Sequence, residues 1–130
     1  MKAILNRIRI SSKKANLAAS LVRKEKATHA VDILKYTPKK GAQILKKVIQ
    51  SAIANAENNN KQNKENLYIK EIIVTEGPTY KRSIPVSRGR ANPRLKRTAN
   101  ITVKLETVGA EKEKPAVKTE KKAKKSNEKN

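Results

Sequence analysis

Residues 3 to 10 alternate along the chain, with Ile4, Ile8 and Ile10 on one side and Leu5, Arg7 and Arg9 on the other. That is the period-two signature of a half-buried strand. Ser11 and Ser12 offer N-cap hydroxyls, and Ala15, Ala18, Leu21 and Val22 follow at helical spacing up to about Lys24, which predicts a first helix. Thr28 is placed to cap a second, shorter helix with Ala30, Val31, Ile33 and Leu34 facing inward. It ends before the Thr37-Pro38 step, because a proline disfavours helical geometry at the residue before it. Pro38 suits the first turn of a third helix, in which Ala42, Leu45, Val48, Ile49, Ala52, Ile53 and Ala56 recur at steps of three and four. Lys39, Lys40, Gln43, Lys46, Lys47 and Gln50 occupy the other face, so this helix is amphipathic.

The run from Asn58 to Asn66 is polar and aperiodic and reads as a loop. Two strands are predicted after it. Leu67 to Thr75 is rich in β-branched residues but alternates imperfectly, whereas Ile101 to Val108 alternates well, with Ile101, Val103 and Leu105 on one face. Between them lies YKRSIPVSRGRANPRLKR, Tyr80 to Arg97, holding Lys81, Arg82, Arg88, Arg90, Arg94, Lys96 and Arg97 and no acid. A hairpin connection ordinarily needs about two to five residues. The economical reading is that both strands run on as a two-stranded arm, about residues 78 to 100, with Gly89 at its tip where a positive φ is needed. Eight or nine residues a side would reach on the order of 30 Å. Pro85 and Pro93 suit the edges or the irregular tip of such an arm. A ribbon of that kind is marginal by itself in water, and an external matrix must hold it.

Charge sharpens this picture. The chain has 130 residues with 32 Lys+Arg against 11 Asp+Glu, a formal net charge of +21. Such a balance asks for a polyanion. Length allows one domain, residues 1 to 108, followed by a tail. Residues 109 to 130 hold lysine, glutamate, alanine and polar residues with almost nothing large and apolar, and are expected to be disordered. There is no cysteine, so disulfides and thiolate metal sites are excluded and a reducing, cytosolic setting is the expectation. The N-terminus does not read as a secretory signal, and no apolar run approaches the roughly 20 residues of a bilayer span; no membrane role is assigned.

Arginine dominates the middle of the arm, and its planar fork bonds two phosphate oxygens or stacks on a base. A solvated basic loop, a DNA-binding arm and an arm embedded in structured RNA all fit the stretch itself. The spread of charge over the N-terminus (Arg7, Arg9, Lys13, Lys14), the third helix (Lys39, Lys40, Lys46, Lys47) and the arm favours structured RNA on several sides. The aromatic inventory is Tyr36, Tyr68 and Tyr80 alone, so an aromatic single-strand reader of the RRM type is not indicated and recognition should be by backbone and shape. Catalysis is not expected: one histidine, His29, and scattered acids supply no nucleophile with a partner, no metal cluster and no cofactor motif. No small-molecule substrate is implied, and Gly77-Pro78 reads as a turn.

Three segments, TPKKGAQILKKVIQSAIANAENN, IVTEGPTYKR and GRANPRLKRTANITV, occur in the order and spacing of one family. Across residues 3 to 108 the chain resembles the bacterial large-subunit ribosomal protein L-twenty-two family. The resemblance implies an α+β fold, three helices packed on a small antiparallel sheet with a long protruding basic β-hairpin. It implies a structural role in the large ribosomal subunit, with 23S-type rRNA, neighbouring ribosomal proteins and the nascent peptide as partners. The hairpin would penetrate the subunit and its tip would help form the wall of the exit tunnel. Carried over by position, Tyr80, Lys81 and Arg82 fall in a segment associated with macrolide sensitivity, and Arg88, Gly89, Arg90 and Ala91 correspond to the tip. Val86 stands where many members have a basic residue, and Ala99 where a histidine is frequent. A free histone-like nucleic-acid-binding protein is the alternative that charge alone would allow.

Overall fold

The computed structural model describes residues 1–107; the expectation for the tail lies outside them. The elements are β1 (Lys2–Ile8), α1 (Ser12–Ser20), α2 (Ala27–Tyr36), α3 (Lys40–Asn60), a 3-10 turn (Lys64–Asn66), β2 (Leu67–Glu76), β3 (Tyr80–Pro85), β4 (Ala91–Lys96) and β5 (Ala99–Thr107). The fold is α+β. β5 lies between β1 and β2 in an antiparallel sheet, and β3 and β4 form a separate two-stranded one.

β5 organises the core because it is paired on both edges and alternates without interruption. Ala99, Ile101, Val103 and Leu105 are buried on the face covered by the helices. α3 lays Ala42, Leu45, Val48, Ile49, Ala52 and Ala56 against them, as its periodicity requires. α1 comes close to α3 at Gly41, where an added Cβ would stand 3.2 Å from the Lys14 carbonyl oxygen and 3.3 Å from Ala18 Cβ. The absent side chain lets the start of α3 sit beside the first turns of α1.

Several local expectations are corrected. In β1 it is Ala3 that is buried, while Ile4 is 53% exposed. The register against β5 shifts between Leu5 and Ile8, where Arg7 adopts φ 56. This bulge changes the phase, so odd residues face the helices before it and Ile8 and Ile10 do so after it. The imperfect alternation of β2 has the same cause, a register shift between Ile69 and Glu71. Leu21 is half exposed and Ala19 buried in its stead, because α1 stops at Ser20. Thr28 lies inside α2, whose cap position is Lys26. Pro38 precedes α3 instead of starting it, since the cap position is Lys39. The predicted loop from Asn58 is helical as far as Asn60, and the helix is closed by Lys61 in the left-handed conformation.

The arm is present, but its strands are not continuations of β2 and β5. Six residue pairs join β3 to β4, from Tyr80↔Lys96 to Pro85↔Ala91, or about 20 Å of ribbon at the usual rise. A neck separates it from the main sheet. There the Gly77 N–H donates to the Thr98 carbonyl at 3.0 Å, and the Thr98 hydroxyl donates to the Pro78 carbonyl at 2.7 Å. Thr98 is the buried polar residue of the described core, and Gly77 is required beside it because a Cβ would fall 2.5 Å from Thr98 Oγ1. Every residue of β3 and β4 is exposed. The ribbon therefore has no apolar support beyond its own two strands.

Candidate nucleic-acid interface

Helices α1 and α3 begin in a way that is unfavourable for an isolated protein. Neither has a side-chain cap or an acid in its first turn. Ser12 does not cap; its hydroxyl donates to Glu76 Oε1 at 3.0 Å. Lys13 and Lys14 occupy the first turn of α1, and Lys39 and Lys40 the start of α3. Cations there oppose the helix macrodipole, and the first N–H groups lack partners of their own. An external anion would satisfy both.

These helix starts share a cleft with the root of the ribbon. Arg9, Ile10, Ser11, Lys14, Lys40, Leu95, Lys96 and Arg97 line a hollow of about 410 Å³. Five cations from three separated segments converge there and no acid does. Close packing at Gly41 joins the first two segments, and the neck brings in the third. Of the residues singled out in the sequence, Arg9, Lys14, Lys40, Lys96 and Arg97 are brought together; Arg7, Lys13 and Lys39 are exposed nearby in sequence but do not line the hollow. Arg7 sits on the bulge, its backbone N–H donating to Asn100 Oδ1 at 2.8 Å. Sequence reasoning missed Ser11, Ile10 and Leu95 as lining residues.

The ribbon has two unlike faces. Strand alternation puts Arg82, Arg94 and Lys96 on one face with Tyr80, Ile84 and Asn92, while Lys81, Ser83, Pro85, Ala91, Pro93 and Leu95 share the other. Arg82 and Arg94 are directly opposite one another, a like-charge pair that destabilises a free hairpin. At the far end the Val86 N–H donates to the Arg90 carbonyl at 2.8 Å, and Arg88 and Gly89 both have positive φ, 60 and 68. Glycine at the second of these fits the expected tip; arginine at the first is uncommon. Tyr80, Lys81 and Arg82 lie at the root of the ribbon and Arg88, Gly89, Arg90 and Ala91 at its tip, so these two groups are not brought into one site.

One acid, Glu76, stands at the start of α1, where it accepts from Ser12, and none lines the cleft. Among the described residues the ion pairs are Glu57 with Lys64, Glu106 with Lys70, and Glu71 with Lys104, and Glu25 Oε2 lies within hydrogen-bond distance of His29 Nδ1. None includes a cation of the cleft or ribbon. Lys70 and Glu106, with Lys104 and Glu71, neutralise the outer face of the main sheet. No group of acids, histidines or cysteines among the described residues could hold a metal ion, and no helix of them is long and apolar enough to cross a membrane.

The sequence itself decides the family. The family model for Ribosomal protein L22p/L17e matches residues 3–106. The chain belongs to that family. Its sequence is 47% identical over 105 residues to the large ribosomal subunit protein uL22 of Akkermansia muciniphila, covering 81% of this chain and 94% of that protein. Against the uL22 protein of Mycoplasmopsis pulmonis it is 47% identical over 103 residues, covering 79% and 94%. Against that of Thermoanaerobacter pseudethanolicus it is 45% identical over 102 residues, covering 78% and 92%. As an L22p/L17e member the chain is a ribosomal protein, a structural constituent of the large subunit and not an enzyme. The matched span ends at residue 106, so the lysine-rich tail lies beyond it.

Proposed function

We propose that the chain binds large-subunit rRNA through the cleft and the arginine face of the ribbon, and that the ribbon tip lines the nascent-peptide exit tunnel. The observation that carries the binding is the convergence of Arg9, Lys14, Lys40, Lys96 and Arg97 on one hollow without an acid. Folded RNA supplies phosphates on more than one side, which satisfies both helix starts and the opposed Arg82 and Arg94 at once. The outer sheet face, with its internal ion pairs, is left for solvent or for neighbouring ribosomal proteins. The tunnel role rests on the family relationship together with a ribbon that stands clear of the core and ends in Arg88, Gly89 and Arg90.

The test is fractionation of a lysate on a sucrose gradient with the chain detected by antibody. Co-sedimentation with the large subunit that survives moderate salt supports the reading, since a multivalent, shape-matched site keeps affinity after screening. Recovery only with DNA, or at the top of the gradient, contradicts it and favours free nucleic-acid binding, whose affinity falls by several decades between about 50 and 200 mM salt.

A further inference from the structure

Tyr36 has the largest exposure of any large apolar side chain in the described residues, at 78%. Tyr68 is half-buried in β2 and Tyr80 is 43% exposed at the root of the ribbon. The surroundings of Tyr36 are unusual for an aromatic ring left in water. Between Asp32 and Glu57 the sequence contains no acid, and Lys35, Lys39 and Lys40 flank the tyrosine closely. The Lys35 ammonium lies 5.6 Å from the ring centroid, where it interacts with the π-face. The ring is still mostly open to solvent, so a flat partner has access to it.

Its position is fixed by the way α2 ends. Thr37 leaves the helix in an extended conformation, φ −83 and ψ 112, as the following proline demands. The Thr37 hydroxyl donates to the Ile33 carbonyl at 2.8 Å, and the Lys39 N–H donates to the Thr37 carbonyl at 2.8 Å. The ring is thus carried on a pinned turn, not on a loose loop. Four residues further on, Lys40 lines the basic cleft, so the two Cα atoms are at most about 14 Å apart. A polynucleotide whose phosphates occupy the cleft passes within reach of Tyr36.

We infer that Tyr36 is a base-stacking site, which takes the face of one unpaired RNA nucleotide next to the phosphates held by Lys39, Lys40 and the cleft. This rests on the rRNA-binding reading and adds a base contact to one otherwise made through the backbone. Stacking on an aromatic ring is tolerant of base identity, so the site fixes the position of a looped-out nucleotide without reading its sequence. The adjacent lysines contribute the electrostatic part and Lys35 polarises the stack.

The experiment measures binding of the full chain to an in vitro transcript of large-subunit rRNA across a salt series, comparing the unaltered protein with Tyr36→Phe, Tyr36→Leu and Lys39→Ala. Tyr36→Leu is expected to weaken binding about tenfold, with the slope against log salt unchanged because no phosphate contact is lost. Tyr36→Phe should stay within about twofold of the unaltered chain, since the ring is kept. Lys39→Ala should instead flatten the slope by about one. Ultraviolet irradiation of the complex should join Tyr36 to a base. Thermal melting of the free variants serves as the control, and an unchanged midpoint is expected of so exposed a residue. Binding of Tyr36→Leu equal to that of the unaltered chain, or loss of affinity in Tyr36→Phe equal to that in Tyr36→Leu, overturns the stacking site while leaving rRNA binding in place. Failure of the unaltered chain to bind the transcript overturns the underlying reading itself.

Discussion

Substituting Arg94→Gln should stabilise the free ribbon and weaken RNA binding, two effects of opposite sign from one change. Arg94 pairs in register with Arg82, and every side chain of both strands is exposed. Cross-strand neighbours put their Cβ atoms about 5 Å apart, so two guanidinium groups about 6 Å apart in water repel by roughly the thermal energy. Salt screening reduces this at ordinary ionic strength. Removing one charge while keeping a polar, hydrogen-bonding side chain should therefore slow amide exchange across β3 and β4 by about twofold in the free chain. On the proposed binding mode the same substitution deletes one phosphate contact. The slope of log affinity against log salt should flatten by about 0.9 if the contacted RNA is duplex and about 0.7 if it is single-stranded. Hydrogen exchange by mass spectrometry on the free chain and filter binding to an rRNA transcript between about 50 and 200 mM salt read the two effects. Faster exchange together with an unchanged slope would refute the reasoning, because it would mean that Arg94 supports the ribbon from within and meets no phosphate.

The neck offers a second prediction. Gly77→Ala forces a Cβ to 2.5 Å from Thr98 Oγ1 and should lower stability in urea by about 1–3 kcal/mol; an unchanged midpoint would show that the neck yields freely. At the end of α3, Lys61 holds φ 50, so Lys61→Gly should raise stability by about 0.5–1 kcal/mol, the left-handed penalty less the added chain entropy of glycine. Thermal melting checks this, and a lowered midpoint would contradict it. Deleting Tyr80 to Arg82 in the organism should alter the response to macrolides more than the yield of large subunits, and the reverse pattern of drug assay and gradient profile would tell against the tunnel reading.

What could be read from the sequence was whatever depends on local periodicity or on charge density. The face of α3 was legible because seven apolar residues from Ala42 to Ala56 fall on one stripe, and β5 because a central strand with one covered face must alternate. The arm was legible because seven cations without an acid cannot fold on themselves. Arg7 and Arg88 were not, since a non-glycine residue with positive φ leaves no pattern, and the bulge at Arg7 reversed the face assigned to Ile4. The neck was hidden for a related reason. Gly77 and Thr98 are twenty-one positions apart, and only the pairing of β2 with β5 reveals that one hydroxyl holds the ribbon off the main sheet. The cleft likewise needs three segments at once, and Ser11 and Leu95 have no signal of their own.

Site-directed hydroxyl-radical probing tests the central claim most directly. The chain contains no cysteine, so single replacements Arg97→Cys in the cleft, Arg90→Cys at the tip and Ile73→Cys on the outer sheet face can each carry a tethered iron chelate in assembled large subunits. Strong rRNA cleavage is expected from the first two positions and little from the third. Strong cleavage from Ile73→Cys with none from Arg97→Cys would place the nucleic acid on the wrong side of the molecule and contradict the account.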